Sequence, residues 1–84
     1  MKTIHKYYIK PIERWAINMQ WGASLLHVGL QGEDIFIWAE VDLGRHVQTR
    51  VFGVFGTGNP LPDCNKDFIG TVLAPPFVWH VYEL

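Results

Sequence analysis

Cysteine, serine and charge are all scarce in this 84-residue chain, and each shortage removes a class of function. Cys64 is the one cysteine, so no internal disulfide can form, and no Cys/His spacing matches a structural zinc site. Ser24 is the one serine and opens a strand-like segment, which leaves no Ser-based triad. Charged residues make up 18% of the chain. The bases Lys2, Lys6, Lys10, Arg14, Arg45, Arg50 and Lys66 are scattered around a net charge of -1, which disfavours direct nucleic-acid binding. No run approaches the ~18 apolar residues that cross a bilayer. The opening "MKTIHKYYIK" has basic residues but no apolar h-region after them, so an intracellular chain without a membrane partner is expected.

What the chain has in quantity is apolar and aromatic surface: 49% hydrophobic residues, with four Trp, three Tyr and five Phe. That composition excludes disorder. A domain of this length buries ~60 to 65% of its unfolded surface around a single core. The set Tyr7, Tyr8, Trp15, Trp21, Trp38, Phe52, Phe55, Trp79 and Tyr82 exceeds what such a core takes in, so part of it forms an exposed patch and homo-oligomerisation is an expectation.

Apolar residues alternate with period two along most of the chain, the pattern of half-buried strands. Residues 2–10 form a first strand that Pro11 ends. "PIERWAINMQWG" fits a helix through Ile12, Trp15, Ala16 and Met19, or a strand through Trp15, Ile17, Met19 and Trp21; the polar Arg14, Asn18 and Gln20 on the opposite strand face favour the strand. "SLLHVGLQ" and "DIFIWAEVD" read as a hairpin around the "QGED" turn, the second being a central strand buried on both sides. "HVQTRVFGVFG" is a long strand in which Gly53 suits a bulge or bend. "DFIGTVL" and "FVWHVYEL" follow, with Pro75 and Pro76 marking the corner between them. The expected fold is all-β: one domain, residues 1–84, a small six- to seven-stranded antiparallel barrel or sandwich.

Two places hold candidate binding residues. The loop "GTGNP" offers Gly56, Thr57, Gly58 and Asn59 as an anion nest, with Arg50 to hold a phosphate and a Trp or Tyr to stack a base. It lacks the Lys-Ser/Thr of a P-loop, the third glycine of a dinucleotide fingerprint and a following helix, so a wide turn with positive φ at its glycines is the simpler reading. The second place is the aromatic surplus around Trp38, Trp79 and His80, which suits a protein interface. His5, His27, His46 and His80 show no metal-ligand spacing, and Cys64 sits between Asp63 and Asn65 with no helix N-terminus to activate it. No catalytic residues, metal or cofactor are expected, and an enzyme is the least supported class.

"MKTIHKY", "WAEVD", "FGTGNPLPD", "FIGTV" and "FVWHVYE" occur in an order that resembles a family of small uncharacterised proteins of tailed phages and prophages. The resemblance spans nearly the whole chain, which departs from the family in being aromatic at Trp15 and Trp21. It implies a strand for the second segment and no known catalytic residues. The implied setting is a phage accessory protein in the host bacterial cytoplasm. Within it, the leading expectation is a non-enzymatic binder that inhibits a host protein, such as a CRISPR or other immune effector. The alternatives are a sponge for a nucleotide immune signal and a minor virion or assembly component.

Overall fold

Alternation becomes seven strands in the computed structural model, which describes residues 1–84. They are β1 (Lys2–Ile9), β2 (Trp15–Gln20), β3 (Ser24–Gln31), β4 (Asp34–Asp42), β5 (Val47–Gly56), β6 (Asp67–Ala74) and β7 (Phe77–Glu83). All pairings are antiparallel. One sheet, A, has the order β1-β4-β3, and the other, B, has the order β2-β5-β7-β6. Since neither sheet closes on itself, the choice between barrel and sandwich falls to a sandwich-like fold. The ambiguous second segment is a strand, paired with β5 from Trp15 opposite Phe52 to Gln20 opposite Val47.

The core forms where the alternating apolar faces meet. Ile35, Ile37, Ala39 and Val41 of β4 turn inward, joined by Ile9, Val28, Ile17, Met19, Phe52, Val54, Val72 and Val81. Phe52, Ile9, Met19, Ile37, Val41 and Val81 are essentially inaccessible, each contributing ~1.5–3 kcal/mol through burial. The expectation that β4 is buried on both sides needs correction: Phe36 and Trp38, on its other face, stay half-exposed. Three strands and four make only two layers, so every strand has one face without a second sheet on it.

The two long edges of the sandwich are handled differently. β3 and β6 run against each other without ladder bonds. Each carries a register shift there, between Leu25 and His27 in β3 and between Phe68 and Gly70 in β6. A Cβ on Gly70 would lie 2.8 Å from Val28 Cγ1, so the glycine is what allows this approach. Gly53, in contrast, pairs with Tyr82 without a shift. It is needed for space, because a Cβ there would stand 2.7 Å from both the Glu13 carbonyl oxygen and the Phe55 ring. On the opposite side, β1 and β2 are open edges, linked where the Trp15 indole N–H donates to the Tyr8 carbonyl at 3.0 Å.

The turns match their residues. The β3–β4 hairpin has a two-residue loop, Gly32-Glu33, with Gly32 at φ 65°, the position where a type II′ hairpin requires glycine. Pro75 and Pro76, joined by a cis bond, form the corner between β6 and β7.

Candidate functional site

Cross-strand register decides which side chains share the outer face of sheet A. Tyr8 stands opposite Phe36, Lys6 opposite Trp38, and Trp38 opposite His27. With Trp15 reaching over from β2, these rings form an unbroken row. Trp15 and Tyr8 lie 5.8 Å apart at 89°, Tyr8 and Phe36 6.1 Å at 68°, Phe36 and Trp38 6.1 Å at 55°, and Trp38 and His27 5.8 Å at 38°. Such edge-on and tilted contacts add ~0.5–1.5 kcal/mol per pair beyond area burial, so the row is rigid. Lys6 lies 4.5 Å from the centre of the Phe36 ring and donates to Gln31. Gly29, opposite Phe36, leaves space for the His27 ring, whose Nε2 would be 2.8 Å from a Cβ there. Ile4, 58% exposed, extends the apolar strip along β1, and Lys2 and Glu40 pair at its rim.

The outer face of sheet B is organised around His80. Thr57 Oγ1 lies 2.7 Å from His80 Nε2 and Thr71 Oγ1 lies 3.0 Å from Nδ1, so both ring nitrogens are engaged and the β5–β6 connection is tied across β7 to β6. Phe55, Tyr82 and Phe68 form a second, shorter aromatic chain at 6.1 and 5.4 Å. Phe55 is only 3% exposed and lines a pocket together with Pro60, Leu61 and Pro62 of that connection. Lys66 fixes the connection from within by donating to the carbonyls of Pro62 and Cys64.

The residues singled out from sequence are therefore divided among three places. Gly56, Thr57, Asn59 and Trp79 do come together, lining with Phe77 a shallow cleft of about 360 Å³ in which Phe77 stacks on Trp79 at 5.0 Å. His80 adjoins it through Thr57. The loop's backbone donors are largely committed: Thr57 N–H goes to the Val78 carbonyl and Asn59 N–H to the Gly56 carbonyl, with Gly58 at φ 90° at the tip. Arg50 lies elsewhere, between the sheets. Its Nε and Nη2 donate to the two Glu83 carboxylate oxygens and its Nη1 to the Ala23 carbonyl, all at 2.7 Å. The Glu83 hydrogen bonds outweigh partial burial and hold the guanidinium pKa above its ordinary value. Trp38 is on the opposite sheet, in the row described above.

Sequence reasoning missed Phe36 as a surface group, and Thr71 as the second partner of His80. A usable signal for the first was present: β4 alternates aliphatic residues with aromatic ones, and an 84-residue core has room for one such set. No local pattern links Thr71 to His80, because their contact depends on the β6–β7 register.

No three His, Cys, Asp or Glu side chains converge into a group able to hold a metal ion. No helix is long and apolar enough to cross a membrane. Fold and surface thus define a class, an antiparallel two-sheet sandwich bearing a rigid aromatic row on one outer face. The chain belongs to a family described as a domain of unknown function (DUF7352), whose match covers residues 1–84. No curated protein and no solved structure matches it.

Proposed function

We propose that this protein is a non-enzymatic binder that docks on a bacterial host protein through the outer face of sheet A and inhibits it. The observation that carries this reading is the row Trp15–Tyr8–Phe36–Trp38–His27. Large rings fixed by their neighbours bury much area on docking and lose little side-chain entropy, which is why Trp and Tyr dominate interface hot spots. The cation of Lys6 and the pair Lys2–Glu40 supply a polar rim. The resemblance to small phage and prophage proteins supports a phage accessory role, with an immune effector such as a CRISPR complex as the target class.

The test is differential capture from bacterial lysate with the wild type, a Phe36→Ala/Trp38→Ala variant and a Phe77→Ala variant on the other sheet. A host protein retained by the wild type and Phe77→Ala, and lost with Phe36→Ala/Trp38→Ala, is the expected result. A partner set indifferent to the row would overturn the reading.

A second reading, a sponge for a small nucleotide, draws its support from the cleft of Gly56, Thr57, Asn59, Phe77 and Trp79, where a base has an aromatic wall to stack on. Arg50 is not available to it while bound to Glu83. Thermal-shift screening against cyclic di- and trinucleotides and ADP-ribose isomers tests this reading. A ligand at 100 times its Kd adds about 2.7 kcal/mol of stability, and a flat panel eliminates these ligands.

A further inference from the structure

The open edge of sheet A specifies a partner more narrowly than its face does. In an antiparallel ladder the backbone groups of alternate residues point to opposite sides of the strand. On β1, Met1 donates no ladder bond but its carbonyl accepts from Leu43 N–H on the β4 side, whereas the Tyr8 carbonyl turns away from β4 and accepts from Trp15. Residues of the same parity as Tyr8, namely Ile4 and Lys6, therefore present their N–H and C=O groups to the outside of the sheet. No turn, loop or side-chain bond to these backbone groups accompanies them. Thr3, His5 and Tyr7, on the inward face of the same strand, are only half-covered, although their neighbours on β4 are fully buried. Partial burial raises the Tyr7 phenol pKa, in keeping with a side chain that faces a core left open at its margin.

We propose that β1 pairs antiparallel with β1 of a second copy, forming a two-fold dimer in which sheet A continues across six strands. Charge selects the register. Placing Ile4 opposite the second copy's Ile4 sets Lys2 against Lys6, and placing Lys6 at the axis sets Lys6 against Lys6; like charges directly opposite are destabilising. With His5 at the axis, Lys2 meets Tyr8 and Ile4 meets Lys6, so every ammonium faces an apolar or aromatic side chain and none faces its like. Edge lysines ordinarily guard a strand against pairing; here their spacing leaves the His5-centred register open, whereas centring on Thr3 shortens the pairing to residues 2–4 and centring on Tyr7 requires the Tyr8 carbonyl that Trp15 already holds.

In that register Ile4 and Lys6 exchange four backbone hydrogen bonds across the axis, and the Tyr8 carbonyl keeps its bond to Trp15 at the end of the pairing. Because a two-fold normal to the sheet leaves the outer faces on one side, the two aromatic rows become a continuous surface. The dimer stands independently of what that surface binds.

Three substitutions in a Cys64→Ser background read the register directly. His5 and its copy form a non-hydrogen-bonded pair with Cα atoms about 4.5 Å apart, inside disulfide range. Position 3 lies opposite position 7, so two copies of residue 3 stand about 13 Å apart, and so do two copies of residue 7. His5→Cys is expected to crosslink under mild oxidation, and Thr3→Cys and Tyr7→Cys are not. In analytical ultracentrifugation the wild type should sediment at twice the 9.7 kDa chain mass. Ile4→Glu puts a carboxylate opposite Lys6 and should tighten the dimer, with Ile4→Pro, which deletes an outward N–H, weakening it. A single-chain mass for both wild type and Ile4→Glu overturns the dimer. Equal crosslinking at positions 3, 5 and 7, or weakening by Ile4→Glu, overturns the register.

Discussion

The two outer faces of the sandwich solve the same problem in opposite ways. Each carries more aromatic surface than a single core can absorb. On sheet B Phe55 is buried and lines a pocket with Pro60, Leu61 and Pro62 of the connection that follows β5, and the Thr57–His80–Thr71 bonds tie that connection across the sheet. On sheet A Tyr8, Phe36 and Trp38 pack against one another, Trp15, His27 and the Lys6 side chain, and each stays at least partly exposed. The buried Phe55 ring contributes to stability, whereas rings left at the surface, the sheet A row and the 59% exposed Phe68 of sheet B, are available for contact. The sheet A row is the longer of the two connected aromatic surfaces.

That contrast can be broken deliberately, starting where the effect is largest. Phe55→Ala removes a buried ring and should cost ~3–5 kcal/mol in urea unfolding; a small loss would mean that this ring adds little to sheet B. Between the faces, Glu83→Gln leaves the Arg50 guanidinium without its charged partner at side-chain exposures of 16% and 22%, and a loss of about 2 kcal/mol is expected. Gly58→Val forces a β-branched residue to φ 90°, where nothing crowds the added Cβ. The cost is therefore conformational, about 1–2 kcal/mol, with folding weakened in step with any change at the neighbouring cleft. Trp38→Ala, on the bare face, should cost only about 1 kcal/mol while abolishing partner capture; a stability loss as large as that of Phe55→Ala would erase the distinction between the faces.

The smallest effect belongs to the rim of sheet A. The Gly44 N–H, bonding to Asp42 at 3.0 Å, and the terminal ammonium hold the Asp42 carboxyl below its ordinary range. A carboxyl with a depressed folded pKa lends stability above its unfolded value and loses it as pH falls through the folded one. Asp42→Asn should therefore lower stability slightly at neutral pH, where the wild-type carboxylate contributes in full, and flatten the acid limb, so that the two chains converge as pH falls through the folded pKa.

Much of the fold was legible because period-two alternation is local information. The alternation of Trp15, Ile17 and Met19 against Asn18 and Gln20 was enough to choose strand over helix for β2, and "QGED" and "APP" placed two turns. The role of Gly53 was read as a bulge or bend because a glycine in a strand has several uses. Its actual use is to admit the Glu13 carbonyl and the Phe55 ring, and both are set by tertiary packing. The candidate site was half legible for the same reason. Gly56, Thr57 and Asn59 are sequence neighbours and stay together, and Trp79 joins them because β7 pairs with β5. Arg50, close to the loop in sequence, points into the space between the sheets and is taken by Glu83, 33 residues away.

By itself the sequence determined that this chain is all-β with more rings than it can bury, since alternation and composition are properties of residues and their near neighbours. Only the tertiary structure decided which alternate set faces inward, which aromatic rings are buried and which cation is already paired. Those outcomes depend on register and sheet stacking, contacts between residues far apart in the chain that no local pattern encodes.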